Sequence, residues 1–145
     1  MRCPVCRVEM LTLEFAKIES DYCGECGGVW LDSGEIELLG ERAGAMRKSL
    51  LAALDSEIVE REQSRKRHCP VCGMRLARVR PAGLGVSVDR CRYRHGLWFD
   101  RGELQAVIQA AGADASNDLI RFLADLEAQR RRRAEERAKE AASGA

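Results

Sequence analysis

The chain has 145 residues, a length typical of one domain, yet an internal repeat divides it into two small modules. Its 24 Lys+Arg residues nearly balance 23 Asp+Glu, and the net charge of +1 argues against strong attraction of the whole molecule to nucleic acid or anionic membranes. The sequence opens without a signal-peptide stretch and has no run of roughly 20 apolar residues that could cross a membrane. We therefore expect a cytoplasmic protein, in whose reducing compartment seven cysteines favour metal over disulfides.

The cysteines fall within the internal repeat. Residues 3–6 return 66 positions later at 69–72, and residues 23–36 return 68 positions later at 91–104. The copies thus differ by two residues, which we place in a widened hairpin tip at 81–85 because that segment is rich in Pro and Gly. The repeat predicts two modules with the same fold.

Each copy carries strand-like sequence between its two cysteine blocks. Residues 10–15 and 18–22 in the first copy, and 76–80 and 86–90 in the second, alternate roughly between apolar and polar side chains, as half-buried strands do. A short turn near Lys17 separates the first pair. We expect one β-hairpin in each module.

A short helix is predicted after the tryptophan of each copy. Asp32-x-x-Glu35 and Asp100-x-x-Glu103 fit a capping box, in which the Asp accepts a backbone N–H and the Glu reaches back to the start of the helix. The expected stops for these helices are glycines, Gly40 and Gly112.

The tryptophans and the glycines beside the cysteines are interpreted as structural. We expect Trp30 and Trp98 to pack over the hairpins as core residues. Gly27, Gly28 and Gly96 are expected to allow the tight backbone that follows each cysteine pair.

Two longer amphipathic helices complete the plan. The first covers about 43–67, and the second begins at a capping Ser116. The basic run at 130–133 is interleaved with acidic residues, so it is interpreted as part of a solvated helix whose end is disordered. The apolar stripes are Met46, Leu50, Leu51, Leu54 and Ile58 in the first helix, and Leu119, Phe122, Leu123 and Leu126 in the second.

These elements predict a small α+β fold made of two tandem modules joined by a long α-helix. Each module has two cysteine knuckles, a β-hairpin and a short helix, and a C-terminal α-helix follows the second module. The expected domains are a first ribbon with its short helix at 1–40, a linking amphipathic helix at 41–68, a second ribbon with its short helix at 69–112, and a C-terminal helix with a disordered end at 113–145.

The first copy contains a complete set of metal-ligating cysteines. Two Cys-x-x-Cys knuckles separated by sixteen residues can bring four thiolates to one point when a hairpin joins them. Soft thiolates favour zinc or iron over magnesium or calcium. Four protein ligands leave no open position for a substrate, so we interpret the site as structural rather than as free redox thiols. Its expected ligands are Cys3, Cys6, Cys23 and Cys26.

The second copy lacks the fourth cysteine. Arg94 stands where Cys26 stands in the first copy, and the next residue is His95. Histidine is an ordinary zinc ligand and its side chain is longer than that of cysteine. We therefore expect His95 to reach the ion although it lies one position later than the missing cysteine, and we expect Arg94 to offset part of the thiolate charge. The alternative is that His95 merely occupies the position of Gly27, and that the site is degenerate or takes an outside ligand. The expected ligands are Cys69, Cys72, Cys91 and His95, which gives two zinc ions in the chain.

Zinc is also expected on energetic grounds. Each module has about 40 residues, near the size below which a hydrophobic core alone rarely stabilises a fold. Zinc binding energy becomes folding energy in such units. His68 directly precedes Cys69, which makes it an awkward ligand for the same ion, and we expect it to be an exposed histidine.

The motifs resemble those of the bacterial transcription-factor-IIB-type zinc-ribbon family, with its Cys-Pro-x-Cys, hairpin and Cys-x-x-Cys-x-Gly-x-Trp-Leu-Asp-x-Gly-Glu-Leu. Residues 3–6 and 23–36 match this pattern almost throughout, and the second copy matches over 96–104; Arg94 is its departure. The resemblance covers roughly 1–40 and 69–108 and implies the ribbon fold and metal binding. It does not by itself imply transcription-factor activity.

Three functions are compatible with two structural zinc sites. We favour a non-enzymatic protein-interaction or assembly module that binds a protein partner or itself through its amphipathic helices, although these stripes can instead pack on the ribbons. A minority alternative is a thiol redox or zinc sensor at the second site. We expect no small-molecule substrate and no membrane contact, and the sequence offers no acid–base pair, nucleophile or phosphate loop that would make an enzyme.

The other alternative is a nucleic-acid-binding, transcription-associated protein that uses its basic second ribbon. Residues 1–40 carry three basic and eight acidic side chains, whereas residues 69–108 carry seven basic and three acidic ones. A basic ribbon can follow a phosphate backbone or dock on the acidic ribbon of a neighbouring chain. The candidate contacts are Arg75, Arg78, Arg80, Arg90, Arg92 and Arg94.

Overall fold

The computed structural model of the chain describes residues 1–15, 17–42, 51, 53–54, 66–80, 86–110 and 118–144. Within these residues it has six strands and three helices. The strands are β1 (Leu11–Phe15), β2 (Ile18–Tyr22), β3 (Val29–Asp32), β4 (Ala77–Val79), β5 (Val88–Arg90) and β6 (Gly96–Phe99). The helices are α1 (Ser33–Arg42), α2 (Glu103–Ala110) and α3 (Asp118–Ser143).

The six strands form one antiparallel sheet in the order β1-β2-β3-β6-β5-β4. The predicted hairpins are present, with Leu11 opposite Tyr22 in the first and Val79 opposite Val88 in the second. Each copy also contributes a third strand, β3 or β6, which the sequence analysis did not predict. The small α+β fold is therefore confirmed, but its two modules share one continuous sheet.

The two copies meet at their tryptophans. β3 pairs directly with β6, so that Trp30 lies opposite Trp98, with Val29 opposite Phe99 and Leu31 opposite Leu97. Trp30 and Trp98 are equivalent positions in the repeat, and the register is symmetric about them. The copies are therefore related by a local two-fold axis at this pair, as in a symmetric dimer whose subunits are joined in one chain.

The side chains of the central strands belong to two different buried clusters, one on each face of the sheet, because alternate side chains point to opposite faces. Leu31 and Leu97 belong to a core that includes the helices. Trp30 and Trp98 belong instead to a cluster with the cysteines, and both indole rings are fully buried. We call these the helical face and the knuckle face. The helical-face core includes Ile18, Tyr22, Ile36, Leu39, Val79, Val88, Phe99, Leu104, Val107, Ile108 and Ile120.

Two glycines let each copy pack under the tryptophan of the other. A Cβ atom on Gly28 would overlap the six-membered ring of Trp98 at Cζ2 and Cη2. A Cβ atom on Gly96 would lie 2.8 Å from Cζ2 of Trp30 and would overlap the carbonyl oxygen of Leu31. The expected tight backbone at these glycines is thus a close approach between copies. Gly27, by contrast, has a left-handed φ of 78°.

The carboxylates at the helix starts have different partners in the two copies. Glu103 Oε2 accepts the backbone N–H of Asp100 at 2.9 Å, as the capping box predicts. Glu35 Oε2 instead accepts the N–H of Glu19 on β2 at 2.8 Å, which corrects the expectation for the first copy. Each Asp accepts the indole N–H of its own tryptophan, at 2.9 Å for Asp32 and 3.2 Å for Asp100.

The helix ends differ partly from the expected stops. α1 continues past Gly40 to Arg42, whereas α2 ends at Ala110 and Gly112 lies outside the described residues. The hairpin tip at 81–85 and Ser116 also lie outside them, as does most of the expected linking helix. The last two residues of that expected helix, Lys66 and Arg67, are described and are not helical, whereas three described residues nearer its middle are helical. These are Leu51, Ala53 and Leu54, of which Ala53 and Leu54 are buried.

Helix α3 packs on the first copy through its predicted stripe. The rings of Phe122 and Phe15 stack with centroids 4.9 Å apart, and Ile120 is buried. Leu119, Leu123 and Leu126 pack against the helical-face core, so this stripe is used within the chain. The expected disordered end is wrong up to Ser143, because the helix continues to that residue through Ala, Glu and Arg, which are strong helix formers.

The second copy contains a network of charged side chains centred on the buried Asp89. Asp89, with its side chain 3 % exposed, accepts hydrogen bonds from Arg78 at 3.1 Å and Arg67 at 3.2 Å. Arg78 also pairs with Glu103 at 2.9 Å, and Arg67 pairs with Asp100. At the equivalent register of the first hairpin, Asp21 accepts a hydrogen bond from the Thr12 hydroxyl at 3.0 Å, so a hydroxyl stands where the second copy has the guanidinium of Arg78.

The substitution Gly28→Ala is expected to lower the free energy of unfolding by about 1–3 kcal/mol, because its methyl group would overpack the Trp98 ring. Gly24→Ala is the matched control on the same knuckle, since no heavy atom lies within 4 Å of its added Cβ. Urea unfolding of the two zinc-loaded variants makes the comparison. Equal unfolding midpoints would contradict the close approach of glycine and tryptophan.

Candidate metal centres

The four cysteines of the first copy converge on one point. The sulfurs of Cys3, Cys6, Cys23 and Cys26 all lie within 4.8 Å of one another. The Cys3 and Cys26 sulfurs are 3.7 Å apart. Zinc–sulfur bonds of about 2.3 Å in a tetrahedron place sulfurs about 3.8 Å apart. The residues of this cluster therefore fit a tetrahedral zinc ion.

The knuckle backbone is shaped to support thiolates. The N–H groups of Val5 and Cys6 both point to the Cys3 sulfur at 3.3 Å. The chain then closes a turn in which the N–H of Arg7 bonds to the Cys3 carbonyl at 3.0 Å, with Arg7 in the left-handed region at φ 65°. Gly27 and Gly73 take the same position and conformation in the second and third knuckles. Three of the four knuckles thus share one geometry.

The second copy brings three cysteines and His95 together in the same way. The sulfurs of Cys69, Cys72 and Cys91 and a ring nitrogen of His95 lie within 4.8 Å of one another. Nδ1 of His95 is 3.4 Å from the Cys91 sulfur and 4.0 Å from the Cys69 sulfur, and the Cys72 and Cys91 sulfurs are 3.7 Å apart. These spacings bracket the edges of a tetrahedral site with three sulfurs and one nitrogen.

The fourth knuckle has a different backbone, which explains how His95 reaches the cluster. Its turn closes one residue earlier, from the N–H of Arg94 to the Cys91 carbonyl at 3.0 Å. The left-handed residue is Arg94 itself, at φ 62°, instead of the residue after it. His95 does occupy the alignment position of Gly27, but the shifted turn directs its imidazole towards the sulfurs.

A residue of the first copy donates two hydrogen bonds to the backbone of this altered fourth knuckle. The N–H of Ser33, at the start of α1, donates to the His95 carbonyl at 3.0 Å, and the Ser33 hydroxyl donates to the Arg94 carbonyl. These bonds lie beside the β3–β6 pairing and fix the backbone on both sides of the imidazole. The position of His95 thus depends on the other copy.

Hydrogen bonds to individual sulfurs favour their deprotonated form. The hydrogen bond from the Cys26 thiol lowers the pKa of Cys3 to about 5, and the same bond raises the pKa of Cys26. The backbone N–H of Met74 lowers the pKa of Cys72 to about 7, whereas burial raises the pKa of Cys69 to about 12. A divalent cation would stabilise the remaining thiolates, since metal ligation requires deprotonated cysteine.

His68 lies outside this cluster, as expected, but it is not an exposed histidine. It is half-buried and its Nδ1 atom is buried without a hydrogen-bond partner. Its backbone forms a bridge with Arg75 on the second ribbon.

Helix α3 covers the tip of the second knuckle, a contact that the sequence analysis missed. Arg130 donates to the backbone carbonyl of Glu25 at 3.3 Å, and Arg137 donates to its carboxylate at 2.9 Å. The Arg130 side chain is 12 % exposed and also pairs with Glu127 at 2.8 Å. The basic run was interpreted as solvated, but Arg130 packs on the knuckle, while residues 131–144 are exposed.

The candidate arginines of the second ribbon divide into two groups. Arg78 belongs to the buried charge network, and the half-buried Arg90 donates to the carbonyl of Leu54 at 3.1 Å. These two hold the fold together. The exposed candidates are Arg75, Arg80, Arg92 and Arg94.

Two four-ligand clusters on knuckles of a shared antiparallel sheet define the chain as a double zinc-ribbon protein. The family described as transcription factor zinc-finger (Zn_ribbon_TFIIB) matches residues 2–42 and 68–110, which together make up more than half of the chain. The chain belongs to this family, and each copy is a member ribbon. No curated protein and no solved structure gave a significant match.

Family membership and the two clusters identify the metal as zinc, with two ions per chain. The predicted tandem zinc ribbons are thus confirmed. Among the described residues, no helix is long and apolar enough to cross a membrane.

The substitution His95→Ala is expected to reduce bound zinc from two ions to one, because three thiolates alone would leave the second ion a free coordination position. His68→Ala is the control, as it removes a neighbouring imidazole that lies outside the cluster. Metal analysis of the purified variants gives the count. Two zinc ions retained by His95→Ala would exclude this histidine as a ligand.

Proposed function

We propose that the chain is a non-enzymatic protein-interaction or assembly module whose two zinc ions are structural. Its ligand sets are Cys3, Cys6, Cys23 and Cys26 for one ion, and Cys69, Cys72, Cys91 and His95 for the other. The observation that carries the proposal is the completeness of both sets, because an ion with four protein ligands has no position for substrate or activated water.

The surfaces outside the clusters support an interaction role. Residues 131–143 of α3 are exposed and extend the helix by about 20 Å at 1.5 Å per residue. The first and third knuckles expose apolar side chains at equivalent positions, Val5 and Val8 in one and Val71 and Met74 in the other, each at least 39 % exposed. A two-fold array of apolar side chains on metal-fixed loops is a suitable surface for a protein partner.

Nucleic-acid binding is the second candidate, and it has a smaller surface than the sequence suggested. Arg92 and Tyr93 are exposed on the fourth knuckle, which offers a charge and an aromatic ring together. Arg78 is withdrawn into the charge network, however, and the acidic first ribbon is part of the same sheet. Phosphate attraction is therefore opposed by neighbouring carboxylates.

Two measurements on the zinc-loaded chain, each made at low and at high salt, test the proposal. Light scattering gives the mass of the particle, and fluorescence anisotropy gives its affinity for a single-stranded oligonucleotide. We expect a mass above that of the monomer that persists in high salt, since apolar contacts are weakly screened. A strictly monomeric chain that binds the oligonucleotide, with affinity falling steeply in salt, would support the second candidate and contradict the first.

A further inference from the structure

The two-fold relation of the copies makes their knuckle tips comparable. We call Gly24 and Glu25, between the cysteines of the second knuckle, the first tip, and Arg92 and Tyr93, in the fourth knuckle, the second tip. With the offset of 68 that relates Trp30 to Trp98, Glu25 is equivalent to Tyr93. The tips lie at equivalent places in the sheet and differ in their side chains, in their neighbours and in the turn behind them, which closes one residue earlier in the fourth knuckle.

The first tip shows what such a surface can bind. Its acidic residue Glu25 is held by two basic residues of α3, Arg130 at the carbonyl and Arg137 at the carboxylate. These arginines are seven positions apart, two turns along the same helix face. The helix thus crosses the tip with its charges complementary to that of the knuckle.

The second tip has the opposite charge and an exposed surface. Tyr93 is 63 % exposed and Arg92 is exposed. The backbone beneath them is fixed, since the N–H of Tyr93 points to the Cys91 sulfur at 3.4 Å and the turn closes at Arg94. A loop with a fixed backbone that presents Tyr and Arg offers two of the three residue types most enriched among the energetically dominant residues of protein interfaces.

We infer that the second tip binds an acidic α-helix of a partner protein. The partner's helix would cross the tip as α3 crosses the first, with carboxylates where α3 has Arg130 and Arg137. Arg92 would bind a carboxylate through paired N–H donors, and the Tyr93 ring would cover apolar carbon atoms of the helix. This inference rests on the proposed function and specifies the chemistry of the partner.

A protein helix fits this surface better than a nucleic acid does. Phosphate backbones need a run of basic side chains, whereas Arg78 is buried in its network and the adjoining ribbon carries eight acidic side chains against three basic ones. A helix with two or three carboxylates, by contrast, can be bound by a single positive charge at the second tip. The internal contact at Glu25 shows a helix seated on the equivalent tip of the first copy.

The probe for the second tip is a labelled peptide of residues 127–143 that carries Arg130→Glu and Arg137→Glu, which we call the reversed peptide. Its binding to the zinc-loaded full chain is measured by fluorescence anisotropy. We expect the unchanged peptide to bind at least about tenfold more weakly than this reversed one. Arg92→Glu in the chain is expected to weaken binding of the reversed peptide by about tenfold or more. Arg80→Glu is the matched control, because it makes the same charge change at an exposed site of the same ribbon.

Equal binding of the two peptides, or equal losses for Arg92→Glu and Arg80→Glu, would overturn the inference. Stronger binding of a single-stranded oligonucleotide that also depends on Arg92 would overturn it as well, in favour of nucleic acid. Failure of the inference is distinct from failure of the proposed function, because the high-salt mass of the chain does not depend on the peptide.

Discussion

Zinc coordination by thiolates is the interaction on which the knuckle face depends. Among the residues that the structure describes, the buried apolar side chains of that face other than the cysteines are Met10, Trp30, Leu76 and Trp98. Four side chains are few for the ends of two ribbons, whereas the helical face has a core of its own. Bound zinc supplies the missing stabilisation, since its binding energy is available only when the knuckles are folded.

The pairing of β3 with β6 ties the two metal centres into one structure. Each tryptophan lies over a glycine of the other copy, and the start of α1 holds the backbone of His95. Loss of one cluster would therefore disturb the other, because their supporting groups are exchanged across the two-fold axis. A duplicated ribbon in one chain gains this mutual support without the concentration dependence of a dimer.

The two copies differ in their net charge, in the exposure of their knuckle tips and in their fourth metal ligand. The first is acidic, is covered at its tip by α3 and has a complete cysteine set. The second is basic, exposes its tip and replaces a cysteine by histidine through a shifted turn at Arg94. The shared sheet thus carries two surfaces of opposite charge.

The clusters and hairpins were predictable because their signals are local in the sequence. Cysteine spacing defines the knuckles, and alternation marks β1 and β2. The strands β3 and β6 escaped prediction because each is short and almost entirely buried, which removes the alternation, and their pairing joins residues 68 apart, Trp30 and Trp98. The contacts of Glu25 with Arg130 and Arg137 span more than 100 residues and follow from the docking of α3.

Removal of zinc tests the account most directly. We expect exhaustive chelation to expose both tryptophans, shifting their fluorescence to the red, and to abolish the cooperative unfolding transition in urea, with recovery when two equivalents of zinc are restored. A metal-free chain that keeps buried tryptophans and unfolds cooperatively would contradict the claim that zinc replaces a hydrophobic core on the knuckle face.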